Sequence, residues 1–347
     1  MIIAGSFSTS RSLKGIYALA EHLHFPILPD ILSGVRFDHD HPMIIPYYDA
    51  LVKSLPNLKP DCILHLGDRL VSKTLLEWIK NQMPQIYALV ADHPFRHDPN
   101  HVLTHRVECD PTLFCEQVLP FTSHKVSWYG GWKEASNMIE GELRSFESTF
   151  TEFGLIRFLH HHIPQHYAIF FSNSLPIRHA DQFFFPKFFK GPIFCNRGLS
   201  GIDGNIGTAI GIATGSQRPT IAILGDSAAL HDLNSLAQLH KTSHPVIFLI
   251  INNHGGGIFS FASNPANKKN FEKFWADAHT LDFEHAAKTF HIPYLHLTDF
   301  SSLAKALKEE KSCIIEMTTN REETHTLHTK ILEKIQLCLN SSYSTVS

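Results

Sequence analysis

The sequence predicts an α/β protein of two doubly wound parallel-sheet domains. Short β-branched apolar runs alternate along the whole chain with stretches of helical period. Several runs are continuous rather than alternating, as expected of strands buried on both faces. The 347 residues are 43% apolar, enough for two cores. Charged residues make up 18% with a net charge of −3 and both signs interspersed. Nothing there favours a nucleic-acid surface. The six cysteines show no paired spacing of a zinc site and read as reduced thiols of a cytoplasmic protein. No apolar run is long enough to span a membrane, and MIIAGSFSTSRS is too short in its apolar part for a signal peptide.

In order, Met1 to Gly5 reads as a strand, Ser10 to Leu23 as a helix and Phe25 to Leu28 as a strand. Cys62 to Leu66 is a strand, Lys73 to Met83 a helix and Ile86 to Val90 a strand, with Asp92 to Asn100 as loop. This gives a first domain over 1–135. Ser136 to Phe158 has helical spacing and is read within a linker helix over 136–164. The second domain, 165–347, has strands at Ala168 to Phe171, Ile193 to Cys195, Thr220 to Leu224, Val246 to Ile251, Tyr294 to Leu297 and Cys313 to Met317. Its helices are Ile206 to Thr214, Ala229 to His240, Phe283 to Thr289, Ser301 to Glu309 and Thr324 to Cys338, with Asn340 to Ser347 as a frayed tail. Among 25 histidines, His160-His161-His162 reads as a solvated helix end, since adjacent positions do not converge from one helix face.

Chemistry concentrates between Leu224 and Phe259. One apolar strand ends in Gly225-Asp226 and the next in Asn252-Asn253-His254-Gly255. Open parallel sheets bind ligands beyond the carboxyl ends of their strands, and a right-handed crossover makes these two ends neighbours. A carboxylate, an amide oxygen and a loop carbonyl suit a hard cation that also takes phosphate oxygens. We therefore read a Mg²⁺–diphosphate site, with Asp226 and Asn253 as side-chain ligands and Gly255 as a carbonyl ligand. Taken singly, an Asp after a strand is an ordinary helix cap and Asn-Asn-His-Gly an ordinary turn. Their pairing carries the reading.

Gly-Asp, a helix, then Asn-Asn closing an apolar strand resembles the thiamine diphosphate (ThDP) motif. NRGLSGIDG (196–204), GDSAALHDLN (225–234) and NNHGGGIFS (252–260), in this order, resemble the MenD family. LHLGDRLVSKTLLEW (64–78) resembles that family's cofactor-free middle domain. The resemblance implies ThDP with Mg²⁺, or Mn²⁺ in its place. It also implies menaquinone biosynthesis: 2-oxoglutarate is decarboxylated and its four-carbon remainder added to isochorismate. It assigns substrate contacts to Arg178, Arg197 and Lys73, and a substrate or cofactor contact to Ser174. Cofactor contacts fall on Ile202, Asp203, Gly204, Gly225, Asp226, Ser227, Asn253, Gly255, Ile258 and Phe259. Arginine forks suit the carboxylates of both substrates, although a lone loop arginine is commonly a surface ion pair. Asp203 is equally readable as a helix cap, Ile202 as core and Lys73 as a solvated helix residue.

Two departures are visible. The family reads Gly-Asp-Leu-Ser where this chain has Gly225-Asp226-Ser227-Ala228, which removes a hydroxyl at 228. Thr74 stands where the family has a basic residue after the lysine. The family's activating glutamate belongs to an N-terminal domain with no counterpart in these residues. The expectation is therefore a half-site, completed by self-association into a dimer or tetramer, by a separate chain, or by residues upstream. The competing readings are another ThDP-dependent 2-oxoacid carboligase or decarboxylase, and a non-catalytic ThDP-binding remnant.

Overall fold

A computed structural model describes residues 1–7, 13–37, 41–54, 59–123, 131–186, 189–261 and 268–343. The chain packs as two compact units, Met1–Ser145 with Ile331–Ser347, and Phe146–Lys330. No helix among the described residues is long and apolar enough to cross a membrane.

The first unit holds a parallel sheet of β1 (Ile2–Ala4), β2 (Ile27–Pro29), β3 (Cys62–Leu66), β4 (Ile86–Ala91) and β5 (His105–Glu108), in the order β2-β1-β3-β4-β5. Its helices are α1 (Lys14–Leu23), α2 (Tyr48–Ser54), α3 (Lys73–Gln82), α4 (Pro111–Val118) and α5 (Trp132–Arg144). The predicted helix from Ser10 begins at Lys14, and 10–12 lie outside the described residues. Starts follow local chemistry. Ser72 caps α3 by accepting from the Leu75 N–H, and Asp110 caps α4 ahead of Pro111 in its first turn. α2, α4 and β5 were not expected: α2 and α4 are short, and β5 is a polar edge strand without an apolar run.

The second unit holds six parallel strands: β6 (Ala168–Phe171), β7 (Ile193–Phe194), β8 (Thr220–Gly225), β9 (Val246–Asn252), β10 (Tyr294–His296) and β11 (Cys313–Thr318). Their order is β10-β11-β9-β8-β6-β7. Every residue of β9, and all of β8 except Gly225, is buried, which is why both read as unbroken apolar runs. Helices α6 (Glu152–His162), α7 (Leu175–Phe183), α8 (Asn205–Ser216), α9 (Asp226–Leu230), α10 (Lys268–Phe274), α11 (Glu284–Thr289) and α12 (Phe300–Glu309) complete it. The division between units falls inside α13 (Arg321–Tyr343).

Four expectations are corrected. The stretch 136–158 is not one helix. α5 ends at Arg144 and α6 starts at Glu152, capped by the Thr151 hydroxyl on the Gly154 N–H. The intervening loop runs so close that a Cβ at Gly154 would strike the Thr149 carbonyl. The helix expected over 229–240 is the short α9 followed by a 3₁₀ stretch, Leu233–Lys241. Asp232 breaks it: its carboxylate accepts from the Gly207 N–H of α8 and from the Ser235 hydroxyl. Helix α13 continues through Tyr343, so the tail read from Asn340 is helical that far; 344–347 lie outside the described residues. Finally, the histidine triplet does end a helix, but His160 is buried rather than solvated. Its Nδ1 accepts from the Phe185 N–H at 3.0 Å.

Buried Glu316 on β11 ties three segments to the sheet. It accepts from Asn252 Nδ2 at 2.6 Å, the Phe283 N–H at 3.0 Å and the Tyr294 hydroxyl at 2.8 Å. Glu316→Ala is expected to cost about 3 kcal/mol, because buried donors lose a charged acceptor. A urea midpoint within error of the parent would show that this network is not structural.

Candidate active site

Strands β8 and β9 run in register from Thr220↔Val246 to Gly225↔Ile251, so their carboxyl ends are level. Asp226 follows β8 directly and Asn253 follows β9, which runs one residue further, and both are buried. The Asp226 carboxylate fastens the two ends. Its Oδ2 accepts the Gly255 N–H at 2.8 Å, and its Oδ1 accepts the Ser227 N–H at 2.5 Å and the Ser227 hydroxyl at 3.2 Å. His279 Nε2 stands 3.4 Å from Oδ2.

The two asparagines divide the work. Asn252 is structural: its amide donates to Glu316 and to the Leu281 carbonyl. Asn253 donates through Nδ2 to Glu152 Oε1 at 3.0 Å, while its Oδ1 is buried with no hydrogen-bond partner. Glu152, fully buried at the start of α6, also accepts from Thr319 and Thr324. Because Nδ2 is committed to a carboxylate, the amide oxygen is the atom turned away from Glu152. A buried amide oxygen without a donor, beside an anchored carboxylate, fits a hard cation.

Backbone conformation around this point is unusual. His254 has φ 61° and Gly255 φ 136°, a region that disfavours side chains. A Cβ at Gly255 would strike the Ala276 carbonyl and the Arg321 guanidinium. Arg321 Nη1 donates to the His254 carbonyl at 2.7 Å and Gly256 N–H to the Ala276 carbonyl at 2.6 Å, pinning the turn from outside. The Gly255 carbonyl accepts from the Gly257 N–H at 2.8 Å.

These groups open on a cavity of about 690 Å³, the size of a cofactor-binding cleft. Of the residues named from sequence, Ser174, Arg178, Arg197, Ile202, Gly225, Asp226, Ser227, Asn253, Gly255, Ile258 and Phe259 line it. Ala228 lines it too, where a hydroxyl was expected by resemblance. Asp203 and Gly204 do not. The cap of α8 is Gly204 itself, with no side-chain cap from Asp203, and Asp232 takes the Gly207 N–H of its first turn. Lys73 belongs to the first unit, where it is 85% exposed and 3.5 Å from Glu77.

Arg178 and Arg197 make this cavity anion-seeking. Arg178 sits on α7, whose Pro176 occupies the first turn, and its Nη1 donates to the Ser174 carbonyl at 2.7 Å. Arg197 Nη1 donates to Asn173 Oδ1 at 3.2 Å. Burial, and then the charge of Arg197, pull the Arg178 guanidinium below its ordinary value. Two like charges held this way in a cleft are relieved by an anionic guest. Ser174 itself has φ 74° and ψ −133°, a strained conformation for a residue with a side chain.

Reading the sequence missed Glu152, Asn173 and His279. Asn173 links β6 to the Arg197 loop, since its Nδ2 donates to the Gly201 carbonyl at 2.9 Å. Its place just before Ser174 at a strand end was a usable signal. Glu152 and His279 lie far from the motif in sequence and gave none.

Comparison with known proteins agrees with this geometry. Residues 1–171 match the family described as "Middle domain of thiamine pyrophosphate", and residues 181–317 "Thiamine pyrophosphate enzyme, C-terminal TPP binding domain". The chain is 35% identical over 345 residues to the 2-succinyl-5-enolpyruvyl-6-hydroxy-3-cyclohexene-1-carboxylate (SEPHCHC) synthase of Rubrobacter xylanophilus, covering 96% of this chain and 60% of that protein. It is 31% identical over 352 residues to the enzyme of that name from Salinibacter ruber, covering 97% and 59%. For the Bacillus velezensis enzyme the identity is 32% over 346 residues, covering 96% and 60%. The chain thus spans about 60% of the length of these relatives. Fold and site together define a ThDP-enzyme chain that carries the middle and cofactor-binding domains of that class. Within the class it belongs to the MenD family, whose members bear the SEPHCHC synthase name.

Gly255→Ala is expected to destabilise the second unit by about 2 kcal/mol or more, from strain at positive φ and the collisions named above. A thermal melt unchanged from the parent would show that the turn adapts.

Proposed function

We propose that this chain provides the diphosphate-, Mg²⁺- and carboxylate-binding part of a ThDP-dependent carboligase. That enzyme converts 2-oxoglutarate and isochorismate to SEPHCHC and CO₂ in menaquinone biosynthesis. The observation that carries the reading is one cavity bringing Asp226 and Asn253 together with Arg178 and Arg197. When bound, ThDP supplies a carbanion-stabilising centre. The chain's own residues bind and orient. Asp226 and Asn253 hold Mg²⁺, or Mn²⁺, by side chain, with Gly255 adding its carbonyl. Gly225 and Ser227 flank the diphosphate, and Ile202, Ile258 and Phe259 supply apolar walls. Arg178, Arg197 and Ser174 take substrate carboxylates. Asp203, Gly204 and Lys73 enter the reading by resemblance alone.

The glutamate that engages the aminopyrimidine comes, in this reading, from a further domain, brought by self-association, by a separate chain or by residues outside this sequence. None of the six cysteines is in a disulfide, which fits a reducing cytoplasmic setting.

The function is tested on protein isolated from its own cells with whatever co-purifies. SEPHCHC is expected from 2-oxoglutarate and isochorismate, with pyruvate a poor donor. Preference for pyruvate would make it another 2-oxoacid carboligase or decarboxylase. ThDP binding without turnover would make it a remnant. Asp226→Ala should abolish Mg²⁺-dependent ThDP binding, read by quenching of tryptophan fluorescence with Trp275 in the cavity wall. Unchanged affinity would remove the metal assignment. Arg197→Ala should leave ThDP affinity intact and raise the KM for isochorismate roughly 10-fold or more, the loss of a charged hydrogen bond. Normal kinetics in that variant would remove the substrate assignment.

A further inference from the structure

The first unit carries a second cluster that the proposed function leaves unused. Strands β3 and β4 are neighbours, and the segments leaving their carboxyl ends bring Asp68, His93 and His97 together. One ligand atom from each lies within 4.8 Å of the others. His97 Nε2 is 2.9 Å and His93 Nε2 3.7 Å from Asp68 Oδ1. Neither approach is a hydrogen bond: Asp68 Oδ1 and both ring nitrogens of His93 are buried with no such partner. Two imidazole nitrogens therefore crowd one carboxylate oxygen without aligning on it, as donors facing a common point do. Buried polar atoms left in this way call for an ion or a water.

The surroundings hold the geometry. Arg106 donates to the backbone carbonyls of Ala91 and His93, fixing the exit from β4. His65 Nε2 lies 3.0 Å from the Asp68 carbonyl oxygen, holding the exit from β3. The Phe95 ring stands 5.7 Å from His93 and 6.4 Å from His97, covering both imidazoles. A cavity of about 60 Å³, bounded in part by Asp68, Asp92 and His93, leaves room for a water at the open side.

We propose that Asp68, His93 and His97 form a binding site for one divalent transition-metal ion of the zinc class, with water as the fourth ligand. Two imidazoles and one carboxylate exclude Mg²⁺ and Ca²⁺, which take oxygen ligands. The separations of 2.9 and 3.7 Å from Asp68 Oδ1 suit bonds of about 2.0–2.2 Å to one tetrahedral ion. The ion ties the loop after β4 to the end of β3. One rearrangement accompanies loading. Arg69 Nε donates to His97 Nδ1 at 3.2 Å in an exposed contact. Binding through Nε2 places the ring proton on Nδ1, so Arg69 swings away into solvent.

The test is a Zn²⁺ titration of the full chain against a competing chromogenic chelator, after metal removal. One tightly bound equivalent per chain is expected, with Co²⁺ giving the visible absorption of a tetrahedral site. His93→Gln and His97→Gln should each weaken that equivalent roughly 100-fold or more, since changing outer partners alone costs 10–100-fold. Melting in chelator should match the parent for both, and only the parent should melt higher with Zn²⁺. Should a histidine variant fail to fold, near-isosteric Asp68→Asn decides in its place. Arg69→Ala should bind at least as tightly as the parent, because it frees Nδ1. The proposal is overturned by a parent with no equivalent that outcompetes the chelator. It is equally overturned by undiminished binding in the ligand variants, or by weaker binding in Arg69→Ala.

Discussion

The second unit's site depends on a single carboxylate placed between two strand ends. Parallel pairing brings Gly225 level with Ile251, and Asp226 then reaches across to the Gly255 N–H. That bond holds the turn 253–255 in a conformation that side chains disfavour, and Arg321 and the Ala276 carbonyl brace it from the far side. A short hydrogen bond to a buried carboxylate is stronger than a neutral one, so the turn is set before any ligand arrives. Preorganisation of this kind places the ordering cost in folding rather than in binding.

Glu152 plays the complementary part. An asparagine amide has two faces of opposite hydrogen-bonding sense. By holding Nδ2 of Asn253, Glu152 fixes the sense of the amide and leaves its oxygen on the opposite side. The threonines at 319 and 324 hold Glu152 in turn, so the orientation of one amide rests on three segments distant in sequence. On the other wall Asn173 does the same for Arg197. Polar networks of this sort are costly when half satisfied, and here the unsatisfied atom is Asn253 Oδ1, on a residue that lines the cavity.

Legibility in the sequence followed physics. β8 and β9 announced themselves because burial on both faces leaves an unbroken apolar run over 221–224 and 246–251, and Asp226 and Asn253 lie just beyond each strand. Polar edge strand β5 and short helices such as α2 carry no such signature. The helix read over 229–240 failed because its period is intact while Asp232 prefers a tertiary partner, the Gly207 N–H, to helical continuation. The linker failed in the same way: local periodicity spans 136–158, but nothing local reveals the loop folding back over Gly154. Glu152 and His279 illustrate the wider limit. They meet Asn253 and Asp226 only through the fold.

The two units show what a strand end becomes under different loads. Both have Gly-Asp after a central strand, Gly67-Asp68 and Gly225-Asp226. In the second unit the carboxylate accepts backbone N–H groups of the turn beside it, so the turn and the proposed cation ligand are one piece. In the first unit the neighbouring strand contributes a loop rich in histidine instead of a glycine turn. The carboxylate oxygen Oδ1 there meets ring nitrogens and no backbone N–H. The same dipeptide therefore braces a turn in one unit and meets imidazoles in the other. The difference lies in what the next strand brings beside it, and the Gly-Asp pair does not announce it.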